Sequence, residues 1–185
     1  IREDFLGGLD QHMSNNPYKT REGGATVTVF VPYDCNNHCP FCINKKEYAD
    51  CSGFSLEAIL RSIRIMDSIT PACDFVFTGG EPLVRKDLVE LASHATSRGM
   101  RAVISTNGTL ITKEKARELK AVGLSYVGIS LDGMEEIHDK FRAVPGAFRK
   151  ALEGIGVSAT GQINSHTGVV AGTCGNLPNY IGSPI

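Results

Sequence analysis

Three cysteines fall within one short run, Cys35-Asn36-Asn37-His38-Cys39-Pro40-Phe41-Cys42. At x3 and x2 spacing their thiols can face one point, and thiolates are the soft ligands that zinc and iron–sulfur clusters prefer. There are three of them rather than four. A structural zinc site is closed by a fourth ligand and a plain electron-transfer cubane takes four cysteines. Three thiolates on a cubane leave one iron open to a substrate or cofactor. The loop by itself leaves an iron–sulfur cluster, a zinc site and ordinary thiols all open. His38 lies too close to both flanking cysteines to ligate easily beside them and reads as a loop residue. Cys51, Cys73 and Cys174 read as non-ligands, with Cys73 a small hydrophobe bordering a core strand.

The loop needs elements to hold it, and the chain supplies them in a repeating order. Ala25 to Val31 is rich in β-branched residues and predicts a strand ending at the cysteines. Ser55 is placed to cap a helix through Ser68, with Leu56, Ile59, Leu60, Ile63 and Met66 on one face and Pro71 as its stop. Asp74 to Phe77 predicts a buried strand ending in Thr78-Gly79-Gly80-Glu81-Pro82. A helix follows, with Leu88, Leu91, Ala92 and Ala95 on one face and Gly99 closing it. Arg101 to Ile104 is a third strand, ending at Ser105-Thr106-Asn107-Gly108. Thr112 caps a third helix that Gly123 closes, and Tyr126 to Leu131 is a fourth strand ending at Asp132-Gly133. Two helical stretches, about 134–142 and 146–153, come next. Four strand–loop–helix units in series predict a parallel sheet whose chemistry lies in the loops after the strands' C-terminal ends. All four special sequences occupy that position.

The texture changes at Gly154. From there to Ile185 the chain has no Asp, Glu, Lys or Arg and seven glycines, and only Gln162 to Val170 suggests a further strand. The domain reading is a leader over 1–24, a core over 25–155 and an atypical uncharged Gly-rich tail over 156–185. A half-closed sheet leaves an edge exposed, which favours truncation or alteration near residue 155.

Composition is that of a globular domain: of 185 residues, 42% are hydrophobic and 21% charged, with net charge −1. A near-neutral balance gives no support for nucleic-acid or membrane-surface binding. No apolar run approaches a membrane span and no signal peptide opens the chain. Six cysteines with three in one loop argue for a reducing, cytoplasmic setting rather than a disulfide framework.

The ordered set resembles the radical S-adenosylmethionine enzymes. Cys35-x3-Cys39-x2-Cys42 with Phe41 before the last cysteine matches that family's cluster motif. Gly79-Gly80-Glu81-Pro82, Ser105-Thr106-Asn107-Gly108 and Ser130-Leu131-Asp132-Gly133 match its next strand ends. Residues 77–153 are most similar to members that remodel haem side chains, in the haem d1 and alternative haem routes. Likeness to peptide-modifying, sulfatase-maturing and molybdenum-cofactor members is weaker.

The resemblance implies an incomplete (β/α) barrel, open on one side, with a [4Fe–4S] cluster on Cys35, Cys39 and Cys42 at the strands' C-terminal mouth. S-adenosyl-L-methionine would chelate the open iron and yield a 5′-deoxyadenosyl radical that abstracts hydrogen from the substrate. The electron would come from a donor such as flavodoxin or ferredoxin. Gly79 and Gly80 would let backbone approach the methionine amino group, and Glu81 would hold that ammonium, unless it is an exposed loop carboxylate. Phe41 would pack by the adenine or else serve the core. Ser105, Asn107, Ser130 and Asp132 offer partners for ribose hydroxyls or the methionine carboxylate, or else turn chemistry. Arg142 is a bidentate partner for that carboxylate or a surface arginine, and His138 shapes a helix start. A tetrapyrrole or a peptide is the implied substrate. A non-catalytic, cluster-binding remnant and a zinc module are the competing readings.

Overall fold

The computed structural model describes residues 24–42, 44, 53–69, 73–157 and 165–168. Residues 1–23 of the expected leader, the stop at Pro71, and Cys51 and Cys174 lie outside the described residues. In chain order the elements are β1 (Ala25–Phe30), α1 (Leu56–Ile69), β2 (Cys73–Thr78), a 3-10 turn (Pro82–Val84), α2 (Leu88–Thr96), β3 (Arg101–Thr106), α3 (Lys113–Ala121), β4 (Tyr126–Ser130), α4 (Glu135–Arg142), α5 (Ala147–Val157) and β5 (Ser165–Gly168). Five strands form one sheet in the order β1-β2-β3-β4-β5, every neighbouring pair parallel. The four expected strand–helix units are present. A fifth strand, within the stretch flagged at 162–170, pairs Val127 with Ser165 and Ser130 with Gly168. The sheet therefore continues past residue 155, where the composition changes.

Local chemistry starts the helices as expected. The Ser55 hydroxyl accepts the Ala58 N–H at 3.2 Å, and the Thr112 hydroxyl accepts the Lys115 N–H at 3.2 Å, each satisfying one donor that a helix start leaves open. On α1, Ile59 and Ile63 are buried while Leu56, Leu60 and Met66 pack against the core.

The pleat gives the sheet two unlike faces, because successive side chains point to opposite sides. One face carries Phe75 and Phe77 of β2, Ala102 and Ile104 of β3, and Val127 and Ile129 of β4. These pack with Ile59, Ile63, Leu88, Leu91, Leu119 and Ala151 from the helices. Phe75 and Phe77 are wholly excluded from solvent, and burial of such a side chain contributes roughly 2–3 kcal/mol.

The opposite face carries Thr28 and Phe30, Asp74, Val76 and Thr78, Arg101, Val103 and Ser105, and Tyr126, Gly128 and Ser130, as the register requires. Here small and polar residues dominate, and Arg101 donates to Asp74 at 3.1 Å near the strands' N-terminal ends. The helix-covered face carries the apolar core. No helix among the described residues is long and apolar enough to cross a membrane.

Candidate functional site

The loops at the C-terminal ends of β1 to β4 interlock, and the contact between the first two explains the glycine pair. The Gly80 N–H donates to the Pro32 carbonyl at 2.8 Å and the Glu81 N–H to the Asp34 carbonyl at 2.9 Å. A Cβ on Gly79, which has φ +135°, would stand 2.2 Å from the Pro32 oxygen; one on Gly80 would stand 2.2 Å from the Asp34 oxygen and 2.5 Å from the Tyr33 oxygen. No side chain fits there. The expected reason for the glycines was approach to a cofactor; the structure adds a nearer one, the backbone leading into Cys35. Asn44 strengthens the join by donating to the Gly79 carbonyl at 2.7 Å.

Glu81 is neither an exposed loop carboxylate nor a free one. It is fully buried. Its Oε1 accepts from the Leu83 N–H at 3.0 Å and the Thr106 hydroxyl at 2.6 Å, and its Oε2 accepts from the Asn107 N–H at 2.7 Å. Burial pushes its carboxyl above the usual range, against the pull of these donors. It thus braces the β2 loop against the β3 loop.

Asn107 carries the brace onward. Its Nδ2 donates to Asn36 Oδ1 at 2.8 Å and stands 3.9 Å from Cys35 Sγ, while its Oδ1 accepts from the Thr109 N–H and hydroxyl. Asn36 in turn donates to the Thr109 hydroxyl at 2.8 Å.

A second brace comes from β4. Asp132 Oδ2 accepts from Arg142 Nε at 2.5 Å and lies 3.3 Å from His138 Nδ1. His138 is fully buried, and its Nδ1 accepts the Asp132 N–H at 3.1 Å. The ring proton therefore sits on Nε2. Burial lowers the His138 pKa, with Asp132 opposing that shift, so the ring is held neutral. It pins the β4 loop to α4, more than the helix-start role expected of it. Arg142 is no surface arginine: its Nη1 stands 4.0 Å from Cys39 Sγ, and its carbonyl accepts the His38 N–H at 2.9 Å.

Glu81, Asn107 and Asp132, expected as cofactor contacts, thus also tie neighbouring loops of the protein together. Buried polar groups must be paired, and the nearest partners lie across neighbouring loops. Ser105 and Ser130 lie half-buried on the sheet's polar face, and their hydroxyls make no hydrogen bond among the described residues. Phe41 is 72% exposed and so is no core residue; its ring centroid lies 6.5 Å from that of Phe141.

Sequence reasoning missed Arg85. Its Nη1 donates to the Val31 and Phe54 carbonyls, both at 2.7 Å, and Asp87 holds its other side. The one cue was an arginine two residues before an aspartate.

Cys35, Cys39, Cys42 and Cys73 are free thiols. Burial raises the Cys35 pKa, opposed by the Asn37 N–H, which stands 3.4 Å from its sulfur. Burial likewise raises Cys73, in the core as expected. Among the described residues no three His, Cys, Asp or Glu side chains are grouped to hold a metal ion. A cubane asks for a different arrangement, one thiolate on each of three irons. Three free, part-exposed thiols, with N–H donors beside Cys35 and Cys39, are the soft ligands such a cluster takes.

Residues 29–173 match the Radical SAM superfamily. The chain belongs to that superfamily. Over 126 residues it is 49% identical to Fe-coproporphyrin III synthase of Methanosarcina barkeri, covering 65% of this chain and 30% of the relative. Over 154 residues it is 36% identical to AdoMet-dependent heme synthase of Nitratidesulfovibrio vulgaris, covering 80% of this chain and 42% of the relative. The chain thus spans well under half the length of these relatives. A solved structure of native anSMEcpe with bound AdoMet and Kp18Cys peptide superposes with a TM-score of 0.66 at 22% identity, over 78% of this chain and 42% of that one. The sheet and its helices are accordingly a partial (β/α) barrel of the radical SAM type.

Proposed function

We propose that this chain is the cofactor-binding core of a radical SAM enzyme that alters tetrapyrrole side chains, with Cys35, Cys39 and Cys42 as the cluster ligands. The observation that carries the reading is that braces from the β2, β3 and β4 loops meet at the loop bearing three free thiols, with N–H donors beside Cys35 and Cys39. Bound together, the [4Fe–4S] cluster and S-adenosylmethionine would supply one-electron cleavage of the sulfonium to methionine and a 5′-deoxyadenosyl radical, which takes a hydrogen atom from substrate.

The protein's part is to bind, orient and keep water out. The three thiols give up their protons on loading. Gly79 and Gly80 hold the loop backbone where side chains would collide, and Phe41 offers an exposed ring for a nucleobase. Ser105 and Ser130 present hydroxyls on the polar face that make no hydrogen bond among the described residues. Arg142, held by Asp132, keeps a guanidinium beside Cys39 for a carboxylate. Glu81, Asn107 and Asp132 act behind these groups. The haem-related names of the relatives support a tetrapyrrole substrate. Reduced thiols and a cluster that needs an external electron favour a cytoplasmic protein served by a flavodoxin or ferredoxin.

Anaerobic reconstitution with iron and sulfide tests the reading. The expected result is brown protein with about four irons per chain that, once reduced, releases 5′-deoxyadenosine from S-adenosylmethionine. Release should rise with an iron tetrapyrrole carrying carboxylate side chains and not with a cysteine-bearing peptide. Cluster without 5′-deoxyadenosine would make the chain a non-catalytic binder. Persistence of 5′-deoxyadenosine in Cys39→Ala would overturn the ligand assignment.

A further inference from the structure

Building on the reading that Cys35, Cys39 and Cys42 seat a cubane, we propose that Asn107 is a positioning residue for the cluster: its amide donates to the Cys35 thiolate and raises the cluster's reduction potential, rather than binding S-adenosylmethionine.

A count of hydrogen bonds carries the argument. An asparagine side chain has two N–H donors and two acceptor sites. Oδ1 accepts from the Thr109 N–H at 3.0 Å and the Thr109 hydroxyl at 2.7 Å. A backbone N–H can only donate, so this contact fixes which end of the amide is oxygen. Nδ2 is then the atom facing the cysteine loop, with one hydrogen for Asn36 Oδ1 at 2.8 Å and one for Cys35 Sγ at 3.9 Å. All four positions are taken, and the residue is only 5% exposed. No donor or acceptor is left for a ribose hydroxyl.

The amide is also held still. The Asn107 N–H is fixed on Glu81 Oε2 at 2.7 Å, and that buried carboxylate is locked in turn by Thr106 and Leu83. Cys35 Sγ faces a second neutral donor, the Asn37 N–H at 3.4 Å. Hydrogen bonds to cluster sulfurs withdraw negative charge from them, which favours the reduced cluster and raises its potential. A donor fixed before loading does this without reorganising.

The experiment uses the full chain, reconstituted anaerobically, as wild type, Asn107→Ala and Asn107→Asp. Aspartate keeps an oxygen for Thr109 and replaces the donor to sulfur, so it decides the matter should the alanine variant fail to assemble. The readouts are iron and sulfide content, the midpoint potential by EPR-monitored redox titration, and coupling of exchangeable deuterons to the reduced cluster. The expected result is a full cluster, a midpoint shifted to more negative potential, and loss of one exchangeable-deuteron coupling. An unshifted midpoint in a fully loaded variant overturns the proposal, as does loss of the cluster from both variants, which would make the amide mere scaffold. Wild type that takes up no iron–sulfur cluster defeats the cluster reading itself. A loaded wild type with an indifferent Asn107 defeats this inference alone.

Discussion

On the β3 flank of the cysteine loop, Cys35 faces neutral amides that rest on a buried carboxylate, Glu81. On the β4 flank, Cys39 faces a guanidinium that rests on the Asp132 carboxylate, whose loop a buried imidazole holds through the Asp132 N–H. Both flanks reach a sulfur with N–H donors, yet one does so without net charge on its last link and the other with a full cation. Neutral hydrogen bonds saturate and are indifferent to salt. An ion pair adds longer-range attraction that salt and pH can erode. The loop is therefore seated firmly on one side and adjustably on the other.

Gly80→Ala should have the largest effect, since it strikes the ground both flanks share. Its new Cβ meets backbone oxygens of Asp34 and Tyr33, and such overpacking costs about 3 kcal/mol. A denaturant midpoint and the iron content after reconstitution would both fall.

Glu81→Ala breaks the β3 flank alone, leaving three buried donors unmatched, for a loss of about 2 kcal/mol. Denaturation should show that loss changing little in high salt, because neutral donors hold Glu81 more than the attraction of Arg142 does. Asp132→Asn breaks the β4 flank. Asparagine still offers Arg142 an oxygen to donate to, so the loss should be smaller, about 1 kcal/mol. In about 1 M salt, where the screening length shrinks to about 3 Å, the difference between Asp132→Asn and wild type should narrow. Equal salt responses in the two variants would erase the distinction.

The smallest effect is on pH dependence. Burial holds the His138 pKa below its ordinary 6.5, so below that value the unfolded chain takes up a proton that the folded one resists. Stability is full above pH 6.5 and declines as pH drops toward the folded pKa. His138→Gln should flatten that decline in urea midpoints measured from pH 7 to 5.

Much of this architecture was legible in the residues because it is written locally. The Ser55 and Thr112 caps, the β-branched strand at Ala25 and the alternating Phe75 and Phe77 each depend on a few neighbours. Motif order along the chain placed the cysteine, Gly79-Gly80, Asn107 and Asp132 loops at one end of the sheet for the same reason. What stayed hidden was which partner each polar side chain takes once the loops meet. Glu81, read as an ammonium ligand or an exposed carboxylate, closes on Asn107 across 26 positions, and spacing cannot foretell that closure. Arg142 turned inward and Phe41 outward for the same reason: their surroundings come from distant segments. Arg85 carried almost no local signal, though it touches both ends of the cysteine-bearing stretch.

Arg85 has a consequence for how such a domain can change over time. One guanidinium ties the Val31 carbonyl, where the chain leaves β1, to the Phe54 carbonyl, where it approaches α1. The stretch between is an excursion with both feet tied to the same peg. With both ends held, changes of sequence between Cys42 and Phe54 need not shift β1 or α1. A family of chains could in this way vary the wall around a reactive centre while the frame beneath stays put.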